Sequence, residues 1–146
     1  MLRLEGLTCG YGRMVAVRDL DLDVGEGQVV ALLGANGAGK SSTLRAILGQ
    51  VVVFDGRVWL AGDDITALAT ARRAAAGIAL APEGRRLFAD LTVAENLAVG
   101  AFSRPSAAAA RQRAEVLDLF PRIGERLEQR AGSLSGGEQQ MLAIGR

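Results

Sequence analysis

From Asp19 to Val24 the chain alternates strictly, with Leu20, Leu22 and Val24 on one side and Asp19, Asp21 and Asp23 on the other. A period of two with acids along one face predicts a half-buried strand, antiparallel in type. The aspartates read as its solvated face rather than as a metal site. A weaker alternation over residues 2–7 predicts a second strand. After the turn Gly25-Glu26-Gly27, the run Val29-Val30-Ala31-Leu32-Leu33 is apolar on both faces and predicts a buried strand of a parallel sheet. Ser41 to Leu48 has helical character, and Gly49 would end that helix through a left-handed cap. Residues 57–65 predict a short strand pair and Ala67 to Ala76 a helix. Ile78-Ala79-Leu80-Ala81 predicts another buried strand, stopped by Pro82. From Thr92 onward the pattern is helical, and Val116, Leu119, Phe120 and Ile123 fall on one face at intervals of three and four. Pro121 and Gly124 would kink or end that helix. Gly84 and the Ser103–Pro105 stretch punctuate the region, with no domain linker and no internal repeat.

Composition narrows the class. A chain of 146 residues is of single-domain size, and 49% hydrophobic with 23% charged residues excludes disorder. The net charge of +1 leaves no basic footprint of the kind nucleic-acid binding requires. Cys9 is the only cysteine, which excludes an intrachain disulfide, and it reads as a small, half-buried residue. There is no cysteine or histidine cluster for zinc. No apolar run approaches the ~20 residues of a membrane span, and Met1-Leu2-Arg3-Leu4-Glu5 lacks the apolar core of a secretion signal. The expectation is a soluble, intracellular protein.

The chemistry concentrates at Gly34-Ala35-Asn36-Gly37-Ala38-Gly39-Lys40-Ser41, between the predicted strand and the predicted helix. Glycines let successive backbone N–H groups converge on an anion, because no Cβ blocks the approach. The helix that follows adds its unpaired amides and the positive end of its dipole. Lys40 is the only lysine of the chain, every other basic residue being arginine. A compact ammonium suits the narrow space facing phosphate oxygens better than a guanidinium does. Lys40 would reach the β- and γ-phosphates, the Ser41 hydroxyl would ligate Mg²⁺, and Ser42 would donate to the α-phosphate. This motif alone does not choose between kinases, GTPases and transport ATPases.

A second stretch is Leu134-Ser135-Gly136-Gly137-Glu138-Gln139-Gln140. Ser135 with Glu138 three residues on is a capping box that opens a helix. Two glycines in the first turn weaken it by roughly 1 kcal/mol each relative to alanine. Their presence makes sense where a phosphate must approach the backbone, at a second anion site.

A complete Walker A loop followed downstream by LSGGEQQ resembles the ATP-binding cassette (ABC) ATPases. The implied fold is α/β: an N-terminal antiparallel β subdomain with the Walker A core over 1–91, a helical subdomain over 92–134, and the signature helix from 135 to 146, with the parallel core sheet incomplete. In that family two cassettes face head to tail, and the Walker A loop of one and the signature of the other enclose the same ATP. The resemblance implies that Ser135, Gly136, Gly137 and Glu138 approach a nucleotide held by a partner chain. It also places Tyr11 where an aromatic residue stacks on adenine, with Val17 against the same ring. Glu83 stands where most members have the glutamine of the Q-loop, which senses the γ-phosphate and touches the membrane subunit. The strings Ala81-Pro82-Glu83-Gly84-Arg85-Arg86-Leu87-Phe88, Leu91-Thr92-Val93-Ala94-Glu95-Asn96-Leu97 and Glu138 to Arg146 resemble the branched-chain amino-acid importer subfamily. Arg85 and Arg86 read equally well as a solvated loop pair. Thr43 departs from the apolar residue usual early in the helix. Gln50-Val51-Val52-Val53-Phe54 replaces the usual proline- and glycine-bearing connector.

The resemblance stops before the family's next elements: a strand ending in the Walker B aspartate, the glutamate that positions water, and a switch histidine. The chain is therefore expected to bind ATP with Mg²⁺ but to hydrolyse it negligibly, and to expose an apolar edge beside 28–33 that favours aggregation. The favoured function is the energising subunit of an importer at the cytoplasmic face of the membrane. Its partners would be a second cassette and transmembrane permease subunits, with no nucleic acid. The alternatives are a non-transport ATPase of the superfamily, in DNA repair or translation, and a non-catalytic nucleotide-binding module.

Overall fold

The computed structural model describes residues 1–102 and 105–146; the first two residues of the 103–105 punctuation lie outside the described residues. The chain divides into two compact units, Met1–Leu80 and Ala81–Arg146.

The first unit is an antiparallel sheet with a helix packed on it. Strands β1 (Leu2–Tyr11), β2 (Met14–Val24), β3 (Val52–Leu60) and β4 (Asp63–Asp64) run in the order β2-β1-β3-β4. The alternation of β2 is as expected: Leu20, Leu22 and Val24 are partly buried, and the three aspartates are exposed. In register, Leu4 faces Leu22 on one side and Val58 on the other. The β1–β2 ladder slips beside Gly6, and the β1–β3 ladder beside Gly6 and Gly56. Gly56 has φ +80°, and a Cβ there would run into the carbonyls of Glu5 and Gly6. This irregularity hides the full length of β1 and β3 from a period-two reading, so β1 extends beyond residue 7 and β3 begins at Val52.

Helix α1 (Lys40–Ile47) lays Thr43, Ala46 and Ile47 against the sheet. The core there is Leu4, Leu7, Cys9, Ala46, Ile47, Val58 and Ile65. Gly49 follows α1 with φ +71°. Helix α2 (Thr70–Ala75) is shorter than the expected 67–76, because a turn closed by Leu68 N–H to the Ile65 carbonyl precedes it.

Two expected strands do not form. Residues 29–33 and 78–81 are in no ladder among the described residues. Val29 is 99% exposed and Leu33 90%, so the segment leaves apolar side chains open without forming the edge of a sheet. A parallel strand is held only by neighbours from elsewhere in the chain, and the four described strands pair with one another instead.

The second unit is helical: α3 (Val93–Gly100), α4 (Ser106–Leu119), α5 (Pro121–Gly124), a 3₁₀ turn at Ala131–Ser133, and α6 (Gly136–Gly145). Its core is Val93, Leu97, Ile123, Ala131, Leu134 and Leu142. Proline disfavours helical geometry in the residue before it. Phe120, at φ −127° and ψ 71°, accordingly separates α4 from α5. The expected single face is broken there: Ile123 is fully buried but Leu119 is 69% exposed.

Candidate functional site

The phosphate-loop residues form an exposed turn ahead of α1. The Ala38 N–H donates to the Ala35 carbonyl (3.2 Å) around Asn36-Gly37, and Gly37 and Gly39 lie at φ +87° and +89°. These are left-handed values that favour glycine. Gly34 is also confined, since a Cβ there would approach the Ala38 methyl to 3.0 Å. Helices α3 and α6 both carry full capping boxes, whereas no side chain caps α1 and its first turn holds no acid. The first amides of α1 are therefore left for an external acceptor.

Lys40 opens α1, and its Nζ donates to the carbonyls of Gly34 (2.7 Å) and Ala35 (2.8 Å). The ammonium is thus folded over the loop it would serve. The Ser41 side chain is exposed and makes no hydrogen bond among the described residues, which suits a metal-ligating hydroxyl. Thr43, the departure early in the helix, is buried and donates its hydroxyl to the Gly39 carbonyl at 3.1 Å. That bond makes a polar residue tolerable in an apolar position.

Tyr11, at the end of β1, turns its hydroxyl toward α1. It accepts from Arg45 Nη1 at 2.8 Å and from Ser42 Oγ at 3.5 Å. Those two bonds, Ser42 foremost, hold its pKa below the ordinary phenol value. Tyr11 and Ser42 therefore share one edge of the loop. Val17, on β2, sits beneath Gly39.

Arg73 escaped the sequence reading altogether. Only 1% exposed, it donates from Nε to Leu68 O (2.8 Å), from Nη1 to Ala46 O (2.8 Å) and Ile47 O (2.9 Å), and from Nη2 to Thr66 O (2.6 Å). It ties down the last carbonyls of α1, the negative end of the helix whose positive end adjoins the glycine loop. Burial lowers its pKa, but a guanidinium starts high enough to stay charged.

In the second unit Ser135 caps α6 as expected. Its hydroxyl accepts from Glu138 N–H at 3.4 Å, and Glu138 Oε2 accepts from Ser135 N–H at 2.9 Å. Glu138 Oε1 also lies 2.9 Å from Arg126 Nε, in an ion pair whose buried N–H is not aligned for a hydrogen bond. The Ser135 bonds, backbone first, then the charges of Arg126 and Arg122, hold the carboxyl below the usual glutamate range. The Glu138 carboxylate is thus engaged within its own helix start. Gly136 and Gly137 are exposed. Glu83 lies on the rim of a cavity of about 460 Å³ lined by Ala81–Arg85, Gln139 and Gln140. Asn96 has no individual role in the sequence pattern. Fully buried, it accepts from Phe88 N–H (3.0 Å) and donates to Phe88 O (3.0 Å) and Thr92 O (2.9 Å). An amide in an otherwise apolar helical run was the available clue.

Among the described residues no group of three His, Cys, Asp or Glu side chains is placed to hold a metal. No helix among them is long and apolar enough to cross a membrane.

A glycine loop that opens an uncapped helix offers unpaired amides to an anion, and comparison narrows the class. The sequence profile described as ABC transporter matches residues 17–146, and the chain belongs to that family. It is 45% identical over 146 residues to the "High-affinity branched-chain amino acid transport ATP-binding protein BraG" of Pseudomonas aeruginosa, covering 100% of this chain and 63% of that one. It is 39% identical over 144 residues to the "Probable branched-chain amino acid transport ATP-binding protein LivF" of Archaeoglobus fulgidus, covering 99% and 61%. The chain thus spans 63% and 61% of these two relatives' length. The fold matches the crystal structure of the ADP conformation of MJ1267, an ATP-binding cassette of an ABC transporter, with TM-score 0.83, 26% identity, and coverage of 100% of this chain and 63% of that one. The fold class is therefore that of the ABC cassette: α/β, with an antiparallel β portion and a helical portion.

Proposed function

We propose that the chain belongs to the ATP-binding subunit of an importer for branched-chain or related amino acids, peripheral to the cytoplasmic face of the membrane. The observation that carries this reading is Lys40 folded over the carbonyls of Gly34 and Ala35 at the start of an uncapped helix. Support for the substrate class comes from the two branched-chain transport relatives.

ATP would exchange loop carbonyls for phosphate oxygens as the partners of Lys40. Gly34 to Gly39 would supply backbone amides, and Ser42 would reach the α-phosphate. Tyr11 would stack on adenine, with Val17 at the same ring. Ser41 would hold Mg²⁺, which when bound neutralises charge on the β- and γ-phosphates. Ser135, Gly136 and Gly137 would close on the nucleotide of a second cassette, while Glu83 would hold the Q-loop position, which senses the γ-phosphate and touches the membrane subunit. Closing and reopening of the pair would reach permease helices through the surface around 82–120. We propose that residues 1–146 by themselves bind ATP while turning it over negligibly.

Expression of the complete subunit with its membrane permease tests this. Labelled leucine uptake should require Lys40 and stop in Lys40→Ala. Purification with DNA or ribosomes instead of a permease would contradict it and favour a repair or translation ATPase.

A further inference from the structure

The two neighbouring arginines of the 81–88 loop behave differently. Arg86 is exposed and makes no side-chain hydrogen bond among the described residues. Arg85 Nη1 donates to Gln139 Oε1 at 2.6 Å. Gln139 lies in the first turns of α6, and its Nε2 donates onward to Ala131 O (3.2 Å) and Gly132 O (3.4 Å). The amide of Gln139 is therefore used at both ends, joining the loop to the turn that precedes the signature stretch. The guanidinium also lies along the first turn of α6: a Cβ on Gly136 would stand 3.2 Å from Arg85 Nη2. A cation gains nothing from the positive end of a helix, so a charge-assisted bond to Gln139 accounts for its place there.

The loop backbone supports the same conclusion. Gly84, Arg85 and Arg86 sit at φ +73°, +60° and +47° in succession. Left-handed geometry at two consecutive arginines persists only where surrounding contacts hold it. Those contacts are Arg85 with Gln139 in mid-loop and the two Asn96 bonds to Phe88 at its end.

We infer that Arg85 is a positioning residue for the signature stretch: through Gln139 it fixes the first turn of α6, and so the presentation of Ser135–Gly137, to the Ala81–Phe88 loop. It touches no reacting atom. The inference rests on the reading of Ser135–Gly137 as phosphate-facing.

The test uses the complete subunit assembled with its permease, comparing wild type, Arg85→Ala, Arg85→Lys, Gln139→Ala, the double alanine variant, Arg86→Ala and Lys40→Ala. Arg85→Ala and Gln139→Ala should each lower kcat by about tenfold, as displaced binding groups do, with the double variant no worse than either. Arg85→Lys should recover part of the loss, and Arg86→Ala should keep wild-type kcat. Fluorescent-ATP affinity of the uncomplexed subunit should stay at wild-type level in all but Lys40→Ala. Amide exchange in the full chain gives a readout independent of turnover: Arg85→Ala should speed exchange across 136–139 by about tenfold or more. Wild-type kcat and exchange in Arg85→Ala, multiplicative losses in the double variant, or an equal loss in Arg86→Ala would each overturn the inference while leaving the nucleotide reading intact. Failure of wild type itself to show Lys40-dependent hydrolysis would overturn both.

Discussion

A Cβ on Gly39 would stand 2.9 Å from Val17 Cγ2 and 3.0 Å from the Ala16 carbonyl oxygen, so β2 packs directly beneath the last glycine of the phosphate loop. Gly39 also holds φ +89°. Gly39→Ala is expected to cost about 2 kcal/mol, combining left-handed strain with a crowded Cβ. The loop would lift away from β2, and ATP affinity should fall with stability. Urea unfolding and nucleotide titration check the two effects, and Val17→Ala in the same background should recover part of the stability by opening space.

Arg73 should prove as important to the first unit as any apolar core residue. Arg73→Ala strands the carbonyls of Ala46 and Ile47 in a buried site and removes the donor from those of Leu68 and Thr66. The expected loss is about 3 kcal/mol, at the upper end for a charged hydrogen-bonding group. Arg73→Lys keeps the charge but not the planar fork, and should lose about half as much. Denaturant midpoints of the three proteins measure this; equal stability of wild type and Arg73→Ala would contradict the assigned role.

The cap of α6 carries a pH dependence of known sign. Glu138 has its pKa lowered in the folded chain by its bonds from Ser135 and the arginines behind it. A depressed carboxyl adds stability that is fully present above the unfolded glutamate value of about 4.3. That stability is lost as pH falls through the lower folded value. The second unit should therefore weaken below about pH 4.3, and Glu138→Gln should flatten that part of the profile. Thermal melts followed across pH 3–7 would show whether the two curves converge at the acid end, as expected.

How much of this could be read beforehand depended on whether the information was local. The alternation of β2 and the Ser135–Glu138 cap each lie within a few residues, and each formed as read; the glycine turn precedes α1, without the strand expected before it. Residues 29–33 and 78–81 are apolar enough for strands, yet a strand exists only with a ladder partner, and theirs is not among the four described. The length of β3 was hidden for a related reason: its register on β1 slips beside Gly6 and Gly56, a meeting of residues some fifty positions apart. Arg73 shows the limit most plainly. Nothing around Ala71-Arg72-Arg73-Ala74 separates the buried arginine from its exposed neighbour; only the position of the α1 C-terminus does. At Thr43, a residue that looked out of pattern proved to be satisfied by a carbonyl one turn back.

The exposed run at Val29–Leu33 has its own consequence. Apolar side chains left open on a segment that joins no strand invite association with another copy. Residues 1–146 should scatter light increasingly with concentration, and Val29→Lys should reduce this without changing nucleotide affinity. A sharp, reversible thermal transition of a monomer would contradict this expectation.

One titration bears on everything else: fluorescent ATP with Mg²⁺ against this chain and against Lys40→Ala, under identical conditions. A charge-assisted phosphate contact is worth about 1.5–3 kcal/mol, so the variant should bind roughly ten- to a hundredfold more weakly. Equal binding by both proteins, or none by either at saturating nucleotide, would contradict the account at its base.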